Sequence, residues 1–212
     1  MASPNNSSTG GYLQPSNPPA PPLEGEQLED FFHDLIVGIT QLDPTLVRPA
    51  WQPEPPNIPV AGTNWIAFHF IDISSDDFPF VGQVKQPDGS VQQSELQNHE
   101  EFNVHCSIYG TGAGSSARAI AKLLRDGLMV PQNQEPLFNA GMGLIGIPSA
   151  PQPVPVLVKT KWLYRVDMDI RIRRIIVRDY DVQPIDSVQV ELIAQIETNE
   201  ITQTITIEDP AP

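Results

Sequence analysis

The sequence predicts an α+β fold: a mainly antiparallel sheet with two helices packed on one side, an extended Pro-rich N-terminal arm and a C-terminal β-hairpin extension. Three observations predict it. Two segments repeat apolar residues at helical spacing, several others alternate apolar and polar residues at strand spacing, and the order runs helix, strand, strand, helix, strand, strand.

Residues 1–25 are nearly all Pro, Ser, Asn, Gly, Ala and Thr. They bury too little apolar surface to offset chain entropy and read as a flexible arm. A helix follows from Glu26 to Leu42. Leu28, Phe31, Phe32, Leu35, Ile36 and Ile39 form one buried face, Glu26, Glu29 and Asp30 suit the first turn, and Asp43-Pro44 stops it. Four prolines between Pro49 and Pro56 then fix φ and remove donors, predicting an extended, polyproline-like segment. Arg48, Trp51 and Glu54 are three apart, the repeat of such a helix, so they share a face. A stiff segment loses little entropy on docking, which makes it a natural contact element.

Trp65 to Ile71 reads as a strand with Trp65, Ala67, His69 and Ile71 on one face and Ile66, Phe68 and Phe70 on the other. Both faces are largely apolar, predicting a central strand covered on each side. Residues 84–98 are polar, with a turn at Pro87-Asp88-Gly89, and read as a hairpin tip or surface loop. Glu101 to Tyr109 alternates Phe102, Val104, Cys106 and Ile108 against Asn103, His105 and Ser107. After a loop at 110–114, Ser115 or Ser116 caps a helix with Ala117, Ile120, Ala121, Leu124 and Leu128 as its stripe, and Gly127 is placed to end it.

Met142 to Ile147 is a short strand. Pro151, Pro153 and Pro155 interrupt the chain before the longest strand, Lys161 to Val177. There Val166, Met168, Ile170 and Ile172 oppose Asp167, Asp169, Arg171 and Arg173, a half-exposed antiparallel pattern. In the tail, Val188, Val190, Leu192, Ala194 and Ile196 alternate with mostly polar residues, as do Ile201, Ile205 and Ile207 beyond Thr198-Asn199-Glu200. This predicts a hairpin with one apolar face, to be covered by its own domain or by a neighbouring copy. The expected division is an arm at 1–25, a domain at 26–182 and the hairpin extension at 183–212.

The 212 residues suffice for one well-buried domain with extensions, or two very small domains. The 23 prolines are about twice the usual share. No apolar run approaches the roughly 20 residues of a membrane span, and the N-terminus lacks a secretory pattern. The single cysteine, Cys106, lies in an apolar strand and reads as a small core side chain, consistent with assembly in a reducing cytoplasm. The net charge of −14 divides into −12 for residues 1–117, +6 for 118–178 and −8 for 179–212. Such segregation favours contacts between copies or with oppositely charged partners. It argues against sequence-specific DNA binding, while DNA passing through an acidic channel without sticking is compatible with it.

Motifs for catalysis are weak. Gly110, Gly112, Gly114 and Ser115-Ser116 follow a strand and open a helix, but no P-loop Lys follows, so a loop and helix cap explain them. The histidines His33, His69, His99 and His105 lack metal-ligand spacing; His69 and His105 lie on strands and could approach each other or Cys106. There is no G-x-S-x-G turn, and the acidic pairs Asp76-Asp77, Glu100-Glu101 and Asp167/Asp169 read as exposed charge more simply than as a carboxylate pair. No cofactor or metal is expected. Lys159, Lys161, Arg165, Arg171, Arg173, Arg174 and Arg178 form a basic strip that is either a solvated sheet face or a subunit interface.

The blocks L-V-R-P-x-W-Q-P-E-P-P-N (46–57) and A-G-T-x-W-x-A-F (61–68) resemble the opening of the phage neck terminator proteins, the tail-terminator-like proteins of tailed bacteriophages. His99-Glu100-Glu101, Ser107-Ile108-Tyr109-Gly110, Leu124-Arg125-Asp126-Gly127-Leu128, Val130-Pro131-Gln132-Asn133, Gly141-Met142-Gly143 and Arg165-Val166-Asp167 are similar in the same order. The resemblance spans roughly residues 26–180; the tail lies outside it and reads as an addition. It implies a virion protein that assembles rather than turns over substrate: a ring, expected to be hexameric, at the neck. The ring would cap the tail tube, contact tube and sheath proteins, join a head connector or adaptor and surround DNA. A head-completion or connector ring is the alternative, and a small hydrolase or nucleotide-binding protein the non-structural one. Arg48, Trp51, Glu54, Arg171, Arg173, Arg174, Arg178, Val188, Val190, Ile205 and Ile207 are the expected contact residues between subunits or layers.

Overall fold

The computed structural model describes residues 13–15, 23–52, 59, 62–84, 93–111, 115–158, 161–182, 187–196 and 199–208. Its elements are helix α1 (Gly25–Thr40), a 3-10 turn (Pro44–Leu46), strands β1 (Val47–Pro49), β2 (Trp65–Ser75), β3 (Phe80–Val84) and β4 (Gln93–Gly110), helices α2 (Ser115–Leu128) and α3 (Pro131–Asn139), and strands β5 (Met142–Gly146), β6 (Gln152–Pro153), β7 (Val156–Val158), β8 (Lys161–Asp181), β9 (Ser187–Ile196) and β10 (Asn199–Glu208).

The larger sheet runs β1-β2-β4-β8-β5, with β3 beside β4 and β6 and β7 beside β8. β2 and β4 are antiparallel, as are β8 and each of β5, β6 and β7; β1 lies parallel to β2. The fold is therefore α+β with a mainly antiparallel sheet. One compact unit comprises residues 20–80 and 97–177 and contains the three helices and the core; a second comprises 1–19, 81–96 and 178–212. β9 and β10 pair antiparallel along ten residues each, placing Val188 opposite Ile207 and Val190 opposite Ile205 in the backbone register.

One face of the sheet makes the core. Ile66 and Phe68 of β2, Phe102, Val104, Cys106 and Ile108 of β4, and Val166, Met168, Ile170 and Ile172 of β8 meet Leu28, Phe32 and Ile36 of α1, Ala117, Ala121, Leu124 and Leu128 of α2, and Leu137 of α3. The ring of Phe32 lies edge-on to Phe70 and Phe102, a geometry that adds to its area burial. Burial pushes the Cys106 thiol up to about 12, so it is a core side chain and not a reactive one.

The structure differs from the sequence reading at several points. α1 ends two residues early, because Gln41 adopts a left-handed conformation (φ 57°) and its N–H donates to the Val37 carbonyl. Asp43 then caps the 3-10 turn by accepting from the Thr45 N–H at 2.9 Å. α3 was unforeseen: nine residues with Pro131 in the first turn and Pro136 inside carry no clear apolar period. It is fastened to the end of α2, where the Asn133 and Gln134 amides donate to the Gly127 and Leu128 carbonyls, each at 2.8 Å. The Gly127 carbonyl also accepts from the Val130 N–H at 3.2 Å, so backbone and side chain together satisfy the end of the helix. Gly127 does not end α2 but lies within it. A Cβ there would overlap the Ile39 side chain, so glycine lets α1 and α2 pack closely.

The proline-rich segment begins as part of the sheet. Val47, Arg48 and Pro49 pair with Ile66, Ala67 and Phe68, and the Ala50 N–H donates to the Phe68 carbonyl at 2.7 Å. The turn predicted at Pro87-Asp88-Gly89, the loop glycines at 112 and 114, Lys159 and Glu54 lie outside the described residues, as does most of the arm at 1–25.

Candidate interaction surface

The other face of the sheet is polar and aromatic, built by strand alternation from the residues left over when the apolar set turns inward. β2 contributes Trp65 and His69, β4 contributes Asn103, His105, Ser107 and Tyr109, and β8 contributes Arg165, Asp167, Asp169, Arg171 and Arg173. Among the described residues, no second layer of helix or sheet covers β2 here, where Trp65 and His69 are half-buried and Ala67 between them is buried, instead of the strand covered on both sides that the sequence predicts. The start of the proline-rich segment takes that place.

The Arg48 guanidinium lies 4.6 Å from the centre of the Trp65 ring, and Trp65 stacks flat on Tyr109 at 4.0 Å. Cation–π contact holds the arginine while its charge stays near solvent. Trp51 leans on His69 with ring centres 4.3 Å apart, yet remains 71% exposed. Arg48 and Trp51 thus share one face, as the three-residue spacing predicts, and that face looks onto β2 of their own chain.

A charge network continues along the sheet. His69 and His105 approach each other, ring centres 4.9 Å apart, as their strand positions allowed; Cys106 faces the opposite way, into the core. His105 Nδ1 is 2.6 Å from Asp169, and Asp167 accepts from Ser107 Oγ at 3.0 Å and from Arg165 at 2.8 Å. Glu101 accepts from Arg171 at 2.7 Å and from Arg173 at 2.9 Å. Hydrogen bonds from Arg173, then from Arg171, hold the Glu101 carboxyl below the usual range. Burial lowers the His69 pKa, and the nearby His105 adds to the effect. Its Nδ1 has no hydrogen-bond partner among the described residues.

Chemically the described side chains form a network of pairs. Ser107 Oγ stands 3.5 Å from His105 Nε2, but the residue is 8% exposed and its proton is directed to Asp167. Among the described residues, no group of three or more His, Cys, Asp or Glu side chains is arranged to hold a metal ion.

Arg174, expected on the basic strip, belongs to the inward-facing set of β8. It is buried, crosses above Phe102, and donates to Glu100 at 2.8 Å, Glu24 at 2.6 Å and the Leu23 carbonyl at 2.7 Å. It ties the start of α1 to the sheet. Arg178 lies near the end of β8, and Val188, Val190, Ile205 and Ile207 are on the hairpin strands, all in the unit of residues 1–19, 81–96 and 178–212. The partners Glu100 and Glu101 were missed, although their position at the start of an alternating strand was visible.

The family model for the phage neck terminator protein matches residues 26–202. That span takes in all three helices and the whole larger sheet. The chain belongs to the phage neck terminator family. The match also passes through β9 into β10, so the tail is not an addition outside the family, as its motifs alone suggested. No curated protein matches the chain. A phage neck terminator protein is a structural component of the virion at the head–tail junction and associates with other tail and head proteins. The family blocks acquire physical roles here: Leu124–Leu128 and Val130–Asn133 build the α2–α3 corner, and His99–Glu101 supplies the carboxylates that receive Arg171, Arg173 and Arg174.

Proposed function

We propose that this neck terminator forms a ring, with six copies as the expected number, that ends the tail tube and joins it to the head connector while DNA passes through the lumen. The observation that carries this reading is the family match across residues 26–202. The mechanism is assembly: apolar contacts supply most of the affinity, and patterned charge selects partner and orientation. One face of the ring would match the growing end of the tube and sheath layer, and the other would receive the connector or adaptor. Assembly would take place in the host cytoplasm.

Arg48, Trp51 and the adjoining Glu54, the arginines Arg171, Arg173 and Arg178, and the hairpin residues Val188, Val190, Ile205 and Ile207 are proposed contacts between copies or layers; Arg174, buried against Glu100 and Glu24, is not among them. Trp51 is the strongest of these, because a largely exposed Trp resting on a sheet face is a typical anchor. In this reading residues 26–182 form the ring body, and the flanking arm and hairpin reach neighbours. Light scattering coupled to size exclusion, across concentration and with purified tube protein added, tests it. A closed ring, alone or on the tube, is expected; a chain that stays monomeric in both conditions overturns the reading.

A further inference from the structure

The middle of the chain carries the net positive charge, but four of its sheet arginines are matched internally. Arg165 meets Asp167, Arg171 and Arg173 meet Glu101, and Arg174 meets Glu100 and Glu24. A further group of cations, directed outward, lies on α2. Arg118, Lys122 and Arg125 are all exposed, follow one another at the i, i+4, i+7 spacing of a single stripe, and form no ion pair among the described residues. Met129, half exposed, continues the same stripe by one turn.

α1 carries the opposite sign. Glu26, Asp30 and Asp34 are exposed and spaced four apart, so they also form one stripe; Asp34 pairs with the neighbouring His33 and borders the groove lined by Gln132, Asn133 and Pro136. The Ile39–Gly127 contact orients both stripes. Asp30 precedes Ile39 by nine residues and Arg118 precedes Gly127 by nine, which at 3.6 residues per turn is two and a half turns in each case. Each stripe is therefore half a turn away from the point where the helices meet. On α1 that direction is the solvent side, opposite the buried Leu28, Phe32 and Ile36, with Asp34 at the edge of the groove toward α3; on α2 it is the side opposite Gly127.

We infer that these two flanks bind each other between copies: the Arg118–Lys122–Arg125 stripe of one copy docks against the Glu26–Asp30–Asp34 stripe of the next. The stripes match in length as well as sign, spanning about 10 and 12 Å at 1.5 Å per residue. Because the two stripes are different patches on different helices, we take their pairing as heterologous: each copy offers both halves to different neighbours, which is the geometry that propagates around a ring. Nucleic acid is the less suitable occupant of the basic stripe, since its cations sit in the same helical layer as the carboxylates of α1, which repel phosphate. The inference rests on the ring reading and specifies one of its contacts.

The test uses the full chain with two charge-reversed variants, Asp30→Lys/Asp34→Lys and Arg118→Glu/Lys122→Glu, each checked for native circular dichroism. Assembly is read from mass against concentration, with tube protein added if the wild type requires it. Each variant alone places like charges together and is expected to need at least about tenfold more protein to assemble. Mixed in equal amounts they complement each other at both junctions, so assembly is expected to return to near the wild-type concentration. The neutral variant Arg118→Gln/Lys122→Gln, expected to fall between, covers the case in which a reversal unfolds the chain. A wild-type ring that survives both reversals, or a mixture no better than its components, overturns this contact and leaves the ring reading intact. Normal assembly of Arg118→Glu/Lys122→Glu with lost retention of duplex DNA assigns the stripe to nucleic acid and also overturns it. A wild type that never assembles removes the ring reading and the contact together.

Discussion

The two faces of β8 are built from opposite kinds of side chain. Toward the helices, Val166, Met168, Ile170 and Ile172 are buried in the common core. Toward the outside, Asp167, Asp169, Arg171 and Arg173 alternate with them and engage His105, Ser107 and Glu101. The same backbone thus serves two kinds of cohesion. Apolar burial is strong and indifferent to salt, whereas charge pairs near solvent contribute little to stability and respond to pH and ionic strength. What the outer face gains is pattern, the property on which recognition between subunits depends.

The contrast predicts graded effects. Phe32→Ala removes a fully buried ring from the core face and is expected to cost about 3–5 kcal/mol, read by urea denaturation. Arg174→Ala, a charge on the apolar side, leaves Glu100 without its main partner and should cost about 3 kcal/mol in the same assay. A loss as small as that of an exposed pair would contradict its burial. On the outer face, Arg171→Ala/Arg173→Ala should cost under about 1 kcal/mol in low salt, and less still in 1 M salt. A large, salt-independent loss would erase the distinction between the faces.

The smallest effect concerns His69. Its folded pKa lies below the ordinary 6.5, so the unfolded chain binds the proton more readily. Stability from this group is present above pH 6.5 and declines as the pH falls from there through the folded value. His69→Gln is expected to flatten that part of the stability–pH curve. An unchanged slope in the variant would assign the dependence to another group.

Much of the fold was legible in local pattern. Leu28, Phe32 and Ile36 announce α1, Ala117, Ala121, Leu124 and Leu128 announce α2, and the alternation in β4 and β8 separates inward from outward residues. α3 was not legible, because a nine-residue helix with two prolines holds its place through Asn133 and Gln134 bonding to α2 rather than through an apolar stripe. Arg174 was misplaced because its charge suggested the solvent face, while strand parity put it with the core residues.

The sequence by itself determined the helices with long apolar stripes, the two-faced strands, the segregation of charge and the family resemblance. All of these depend on residues close together in the chain or on motifs in a fixed order. Only the tertiary structure decided which charges meet. His105 and Asp169 are 64 residues apart, and Arg173 and Glu101 are 72 apart. Their encounter depends on β4 and β8 being neighbours in the sheet. Helical and strand periodicity specify a face but not the partner it meets, so the network came into view only with the strand order.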